Sequence, residues 1–310
     1  MMKISGVVRG AVAAILLPVM MVEPSFAWGH DGHSMINRIA VTYLPSDVPA
    51  FLRSRAAQDA MDYYGPQPDQ FRNGDPKMYS TMVAEHDIDL EWADLGGPLP
   101  KRRYEYMKAL SAAQSKHPEL DLSPQNVGFL PYSTYEYYVS LLAAMRDYRR
   151  ELAANRDTTA AEHEVVFLAG VLGHFVADGS QPLHMTYKYN GWVGANPNGY
   201  TTSKKTHGLV EGDFVHNNVK AADVAPLVES TTVAVLADPF EDFVTYLRHS
   251  QTFVEETYKL EKAGGFVGAG TPEAKAFTKA RLAEGAVELR NMIYTAWVRS
   301  GDPLPPYKGN

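Results

Sequence analysis

Apolar residues recur at intervals of three and four along most of this chain, which is the spacing of one buried helix face. The segments that show the pattern are 32–44, 132–154, 162–178, 206–220, 223–236, 239–262 and 272–299. Strand-like alternation of apolar and polar residues is nearly absent. The pattern predicts an all-α fold.

Stretches rich in glycine, proline and asparagine separate these segments and predict loops at 64–77, 94–101, 117–131 and 185–206. Neither an internal repeat nor a low-complexity linker divides the chain. A length of 310 residues suits one large domain. We predict a single helical domain over residues 28–310.

The first 27 residues have the pattern of a secretory signal peptide. Lys3 and Arg9 precede the apolar run AVAAILLPVMMV, and small residues lie at Ser25 and Ala27. A bilayer span needs about 20 apolar residues, more than this run provides, and we expect no later stretch to be long and apolar enough. We therefore expect cleavage after Ala27, export to the periplasm or the extracellular medium, and no transmembrane segment.

The composition limits how the chain can be stabilised and which partners it can bind. The chain has no cysteine, so disulfides cannot stabilise it. Its formal charge is −7, and it becomes more negative without residues 1–27. An acidic protein has little non-specific affinity for duplex nucleic acid, because non-specific binding depends on neutralising the phosphates with basic side chains. Bound metal ions would offset this charge locally, so a phosphate-containing substrate stays open.

The strongest group of candidate ligands is HFVADGSQPLH at 174–184. His174 and Asp178 are four residues apart, so they project from one face of a helix. His184 follows a Gly-Ser-Gln-Pro break. Downstream, His207 and Glu211 form a second pair with the same spacing. One such pair usually marks a surface helix, but two pairs with a histidine between them favour a metal site of the kind that zinc occupies.

Five upstream residues extend the candidate set, and four of them are candidate ligands. Asp69 and Arg72 form a DxxR element in PDQFR, and His86 opens the acidic stretch HDIDLE. Trp28 would become the first residue of the mature chain, five before His33. Its free amine and carbonyl oxygen would form a two-point chelate. Together the ligand candidates number nine, which suffices for three metal ions.

These motifs in this order, WGxxGH, PDQFR, HDIDLE, HFVADGSQPLH and HGLVE, resemble the trinuclear zinc superfamily. That superfamily contains the secreted single-strand nucleases of S-one/P-one type and the bacterial zinc-dependent phospholipases C. The similarity runs from Trp28 to Glu211, and the last helix, AEGAVELRNMIYTAW, is also similar. The resemblance implies a single-domain, mostly helical phosphodiesterase with three zinc ions.

The resemblance also implies a role for each residue. Two buried zinc ions would be served by Asp69, His86, His174 and Asp178, with Asp178 bridging two metals, and the third ion by His184, His207 and Glu211. Trp28 and His33 would complete a site with Asp178. Asp69 would also orient or deprotonate the attacking water, and Arg72 would stabilise the transition state. No covalent nucleophile is needed, so we expect direct in-line attack by water.

The branch of the superfamily is left open by the sequence. The gaps from Trp28 to His33 and from His184 to His207 are similar to the nuclease branch, whereas Glu211 stands where phospholipases typically carry glutamate. Asp87 occupies the position at which nucleases have a base-stacking aromatic residue. Asp89 matches a nuclease carboxylate that contacts the base edge, and we assign it to substrate binding.

The loop 185–206 interleaves aromatic residues with lysines, including Tyr187, Lys188, Tyr189 and Trp192. Such a loop can stack single-stranded bases, form a cage for a choline headgroup, or simply pack its rings onto the surface. We expect a monomeric zinc endonuclease acting on single-stranded DNA, RNA or nucleotides. The alternatives are a phospholipase C acting on phospholipid headgroups and a non-catalytic helical protein with structural zinc.

Overall fold

The structure, a computed structural model, describes residues 28–304. The predicted signal peptide, residues 1–27, lies outside the described residues, so its cleavage and the export of the chain stay predictions.

Over the described range the regular structure is helical, and the one pairing of extended backbone there is an isolated antiparallel bridge between Ile88 and Gly128. The all-α prediction is therefore confirmed. The helices are α1 (Gly29–Thr42), α2 (Arg55–Tyr64), α3 (Gln67–Phe71), α4 (Tyr79–Val83), α5 (Leu90–Ala93), α6 (Arg103–Gln114), α7 (Pro124–Val127), α8 (Leu130–Ala153), α9 (Thr159–Ser180), α10 (Thr206–Gly208), α11 (Phe214–Asn218), α12 (Ala221–Glu229), α13 (Pro239–Gln251), α14 (Val254–Lys262) and α15 (Pro272–Arg299).

Several predicted segments have different limits in the structure. The segment 239–262 forms two helices, α13 and α14, and 223–236 is helical only as far as Glu229. The loops predicted at 64–77 and 117–131 contain the short helices α3 and α7. Helices α2, α4, α5 and α6 are also absent from the prediction. Helix α2 buries only Ala57 and Met61, which is too short an apolar series to identify a helix.

Helix α9 occupies the centre of the core. It packs against α1, α2, α8 and α15, and every residue from Ala169 to Ser180 is buried. The C-terminal half of α9 is therefore buried on all sides, as in a core helix, whereas His163, Glu164 and Phe167 in its N-terminal half are exposed. The side chains of His174 and Asp178 therefore lie deep inside the bundle.

Helix α9 is also the one helix of the described residues long and apolar enough to cross a membrane, with a mean hydropathy of 1.3. The sequence prediction that no segment after the N-terminal run is so apolar is wrong for α9. In the structure 67% of this apolar stretch is buried inside the bundle. Its composition follows from its place in the core, which requires apolar residues on every face.

Candidate metal centre

Three groups of buried histidine and carboxylate side chains lie within the described residues. Within each group the potential ligand atoms all lie within 4.8 Å of one another. We call the groups the first, second and third clusters, and they comprise His33, His174 and Asp178; Asp69, His86 and His174; and His184, His207 and Glu211.

Helix α9 supplies ligands to the first two clusters. His174 and Asp178 lie one turn apart, and His174 Nε2 is 3.3 Å from Asp178 Oδ2. From α1, His33 stacks its ring on that of His174 at 3.9 Å between centroids. Its Nε2 lies 3.5 Å from Asp178 Oδ1. The two helices thus bring three predicted ligands together in the core.

The second cluster adds residues from the chain between α2 and α5. His86 Nδ1 lies 3.1 Å from Asp178 Oδ2 and 2.8 Å from His174 Nε2. Asp69, on α3, places Oδ1 4.0 Å from His86 Nδ1 and 3.9 Å from His174 Nε2. Asp178 consequently faces ligands of both clusters, as expected for a bridging carboxylate.

The third cluster depends on a local change of helix type. Residues Leu209–Asp213 form a π-helical turn between α10 and α11, and such turns occur frequently at functional sites. The turn carries Glu211, whose Oε2 is 2.9 Å from His207 Nε2 and 3.7 Å from His184 Nε2. The sequence predicted the pairing of His207 with Glu211 but not the π turn.

Backbone carbonyls fix the orientation of the histidine rings. Nδ1 of His174 donates to the carbonyl of Gly65 at 2.8 Å, and Nδ1 of His184 donates to the carbonyl of His86 at 2.7 Å. A carbonyl only accepts, so each neutral ring carries its proton on Nδ1 and its lone pair on Nε2. Both lone pairs face the carboxylates. Metal-ligating histidines are held in this way by the nitrogen opposite the metal.

The spacing of the donor atoms fits an ion between them. Ligands at about 2.0–2.1 Å from a tetrahedral zinc ion lie roughly 3.3 Å from one another. In the first cluster Asp178 Oδ2 lies 3.3 Å from His174 Nε2 and Asp178 Oδ1 lies 3.5 Å from His33 Nε2, close to this value. In the second cluster Asp69 Oδ1 lies farther away, 4.0 Å from His86 Nδ1 and 3.9 Å from His174 Nε2. In addition, Asp178 Oδ1 and His184 Nε2 are buried without a hydrogen-bond partner among the described residues. A bound cation would satisfy both atoms.

Burial shifts the ionisation of the first two clusters towards neutral forms. It raises the pKa of Asp178 well above its usual value, and Asp69 adds to this effect by repulsion. Burial also raises the pKa of Asp69 to about 7, although Arg72 partly opposes the shift. The pKa values of His86 and His174 are lowered well below 6.5, chiefly by burial. Buried carboxylates need a compensating cation, and neutral imidazoles are the form that binds metals.

In the third cluster the pKa shifts favour the charged forms of the side chains, unlike those in the first two clusters. Burial alone would raise the pKa of Glu211, but the nearby imidazoles of His207 and His184 lower it to about 2. Burial alone would lower the pKa of His207, and its contact with Glu211 raises it overall. This cluster therefore contains an ionised carboxylate that is ready to bind a cation.

Trp28 lies between the helix that carries Asp178 and the turn that carries Glu211. Its indole Nε1 donates to the carbonyl of Ala177 at 2.9 Å and to Ser180 Oγ at 2.7 Å. The next residue, Gly29, has a φ of +58°, and a Cβ there would lie 3.3 Å from the Cα of Gly212. The side chain of Trp28 is thus fixed beside the clusters, whereas ligation by its amine stays a prediction.

Arg72 is buried beside the second cluster. Its side chain is 3% exposed, and Nη2 lies 2.9 Å from Asp69 Oδ1 one turn away. The DxxR spacing therefore forms a real ion pair. The guanidinium also lies 5.9 Å from the centre of the Tyr79 ring. A planar cation at this place can bind phosphate oxygens at the metal centre.

Two further acids lie close to the centre. Asp89 is 8% exposed, and burial, followed by repulsion from Asp87 and Glu91, raises its pKa to about 9. Burial raises the pKa of Asp87 to about 7, against the attraction of His207 and Arg72. Asp87 thus lies within electrostatic range of the second and third clusters. Asp89 is a carboxylic acid at neutral pH, so it offers both a hydrogen-bond donor and an acceptor.

The aromatic residues of the loop 185–206 are mostly used for packing. Tyr187 stacks on Trp92 at 5.0 Å, and Trp192 packs against Tyr258 at 5.2 Å. Tyr200 is 5% exposed. Of the loop's aromatic side chains, all within the described range, only Tyr189 is exposed to a large extent, at 51%.

Sequence reasoning missed the residues that support His86. Arg103 donates two hydrogen bonds of 2.8 Å to Glu85, the residue before His86, and also binds Glu136. Ser133 donates to Glu85 as well. Nothing in the local sequence links these positions, because the contacts join residues far apart in the chain. The carbonyl of Gly65, which orients His174, is equally invisible in a side-chain motif.

A scan against protein-family models and a search of curated proteins each give no match to this chain. The site therefore has to be interpreted from its own geometry. Three buried clusters of histidine and carboxylate side chains can hold metal ions, and a buried arginine lies next to them.

Proposed function

We propose that this protein is a zinc-dependent phosphodiesterase, an endonuclease that hydrolyses single-stranded DNA and RNA. The observation that carries the proposal is the pairing of Arg72 with Asp69 at the edge of the second cluster. A purely structural metal site needs no buried guanidinium. We also propose that the enzyme is exported, on the pattern of residues 1–27, and that it acts as a monomer.

Each charged group of the centre has a role in phosphodiester hydrolysis. The three clusters would hold zinc ions, which would supply a bound water of lowered pKa and positive charge beside the phosphate oxygens. Arg72 presents a planar fork of donors to the same oxygens. Asp69 can orient the attacking water because one carboxylate oxygen faces Arg72 and the other lies 4.0 Å from His33 Nε2. The centre needs no serine or cysteine nucleophile.

The contacts of Lys188 favour nucleic acid over a choline headgroup. Its ammonium group lies 4.8 Å from the ring centre of Tyr187 and 4.7 Å from that of Trp192. A choline cage would need those ring faces free for the ligand's quaternary ammonium. Here a lysine of the chain already occupies them. Phospholipase C activity remains the second candidate because Glu211 matches that branch of the superfamily.

The test is an activity panel with the zinc-loaded chain, beginning at Trp28. Single-stranded DNA, single-stranded RNA, mononucleotides and phosphatidylcholine vesicles are each incubated with and without a chelator. We expect hydrolysis of both nucleic acids that the chelator abolishes and added zinc restores. Release of phosphocholine without loss of nucleic acid would replace the nuclease with the phospholipase. Absence of hydrolysis from a chain carrying zinc in all clusters would refute catalysis.

A further inference from the structure

A buried asparagine joins three helices that carry or orient the metal ligands. Asn37 lies on α1, one turn after His33, and is fully buried. Its Nδ2 donates to the carbonyl of Met61, on α2, at 3.0 Å and to the carbonyl of Gly170, on α9, at 2.8 Å. Both N–H donors of the amide are therefore used, and they tie α1 to α2 and to α9.

The two acceptors fix which way the amide of Asn37 faces. A reversed amide would place Oδ1 against two carbonyl oxygens, which only accept. Oδ1 instead faces Gly173, where an added Cβ would lie 2.0 Å away, and it has no hydrogen-bond partner within the described residues. Because an unpaired buried oxygen costs stability, an apolar side chain would serve packing better. The two donors of the amide, rather than packing, therefore explain an asparagine at this place.

The contact with Met61 continues to a metal ligand. The carbonyl of Met61 also accepts from the backbone N–H of Gly65 at 3.0 Å, and the carbonyl of Gly65 accepts from His174 Nδ1 at 2.8 Å. The contact with Gly170 leads to the same ligand, because Gly170 lies one turn before His174 on α9. Both routes end at the histidine that the first and second clusters share.

Gly65, which orients His174, packs directly against Asn37. A Cβ at Gly65 would lie 2.9 Å from Asn37 Nδ2 and 2.8 Å from the carbonyl oxygen of His33. The backbone at Gly65 thus lies in close contact with both the amide and α1. A displacement of the amide would consequently displace the carbonyl that holds the His174 ring.

We infer that Asn37 is a positioning residue for His174 in the metal centre. It holds α1, α2 and α9 at the spacing at which the Gly65 carbonyl keeps a proton on His174 Nδ1 and leaves Nε2 to bind a metal ion. The inference rests on the proposed function only in requiring metal ions at the first two clusters, and it is independent of the substrate.

The test measures zinc affinity by competition with a chromophoric chelator. Asn37→Leu removes both donors and should weaken binding of the two ions of the first and second clusters about 10-fold or more. The ion of the third cluster should bind as before, because segments other than α1, α2 and α9 carry that cluster. After cobalt replaces zinc, the visible spectrum of Asn37→Leu should also change, since that spectrum depends on ligand geometry.

Asn291→Leu is the matched control. Asn291 is a buried asparagine of α15, and its Oδ1 accepts from the N–H of Ala234 at 3.0 Å, outside the three clusters. This variant should lower the urea midpoint and leave zinc affinity unchanged. Asn37→Asp has the same shape and cannot donate to both carbonyls, so it should weaken binding of the same two ions. It decides the test if Asn37→Leu does not fold.

Unchanged zinc affinity and an unchanged cobalt spectrum in a folded Asn37 variant would overturn the inference and leave Asn37 as a core residue only. Equal losses of zinc affinity in Asn37→Leu and Asn291→Leu would also overturn it, because the loss would then follow from lower stability alone. An unsubstituted protein that binds zinc but cleaves no phosphodiester would refute the proposed function and leave this inference standing.

Discussion

Arg72 and Asp69 form a buried ion pair one helical turn apart, with Nη2 and Oδ1 separated by 2.9 Å. The pair joins Asp69, a candidate ligand of the second cluster, to Arg72, whose guanidinium group does not coordinate metal ions. Substitutions of the two residues therefore test two functions independently: holding the ion, and stabilising charge on the substrate.

Replacing Arg72 should impair turnover without removing metal. Arg72→Ala is expected to lower kcat on single-stranded DNA by on the order of 100-fold, because one transition-state donor is lost. The zinc content, measured by atomic emission, should stay at the value of the unsubstituted protein. Arg55→Ala is the control, since the Arg55 side chain is 78% exposed. Near-normal kcat in Arg72→Ala on every phosphodiester would show that the pair serves only to hold α3.

The carboxylates should contribute unequally to the zinc content. Asp178 faces ligands of two clusters, whereas Glu211 belongs to the third alone. After exhaustive dialysis we expect about three zinc ions per chain in the unsubstituted protein, a number that follows from the three clusters. Asp178→Asn should lose more zinc than Glu211→Gln. Equal losses would contradict the bridging role of Asp178, and one ion or fewer in the unsubstituted protein would refute the three-zinc proposal.

A residue left in front of Trp28 should weaken one metal site. The indole of Trp28 is held by Ala177 and Ser180, so an added methionine should not displace the side chain. It would block the amine, which is the predicted ligand. We expect a lower zinc content and lower turnover, compared with the same chain beginning at Trp28. An extended chain with full zinc and full activity would exclude the amine as a ligand.

Gly173 lets α1 and α9 pack closely because it has no Cβ, so replacing it with a larger residue should destabilise the protein. A Cβ at this position would lie 2.0 Å from Asn37 Oδ1. The amide of Asn37 donates to the carbonyls of Met61 and Gly170, so it cannot move without breaking contacts with α2 and α9. Gly173→Ala should destabilise the protein by about 1–3 kcal/mol in urea unfolding.

The control for this substitution is Gly96→Ala, in which the added Cβ would meet no atom closer than 3.4 Å. Equal urea midpoints for the two alanine variants would show that Asn37 adapts to the added methyl group.

Glu288 should make stability fall as the pH rises. Burial, and then repulsion from Asp242, raises the pKa of this carboxyl to about 7, and its Oε1 has no hydrogen-bond partner in the described structure. The folded protein therefore binds a proton more tightly than the unfolded chain, and stability is lost between about pH 4.5 and pH 7. Glu288→Gln removes the titration and should be more stable than the unsubstituted protein at pH 8, by roughly 1 kcal/mol after allowance for partial exposure.

At pH 4 the two proteins should melt at similar temperatures, since Glu288 is then neutral in both states. Glu273→Gln, an exposed position on the same helix, is the control. A difference between Glu288→Gln and the unsubstituted protein that is independent of pH would rule out the titration.

The sequence predicted the helices and the clusters with different success, for physical reasons. Long amphipathic helices such as α15 can be predicted from sequence, because the helical spacing of their apolar residues repeats over many turns. The pairs His174–Asp178 and His207–Glu211 were predictable because their spacing is local. Their assembly with His33, Asp69 and His86 followed from the resemblance, since no local pattern brings distant segments together. The π turn at Leu209–Asp213 was not predictable from spacing, because an α-helix also places residues four apart on one face.

The central position of α9 has a consequence for how metal ions are taken up. His174 belongs to both the first and the second cluster, and it lies with Asp178 in the half of α9 where every residue is buried. An ion bound at the first cluster would therefore engage a side chain that the second cluster also needs. We expect the metal affinities of the two clusters to be coupled, and the coupling is reciprocal. In a metal titration the occupancy of each of these two clusters should consequently depend on that of the other.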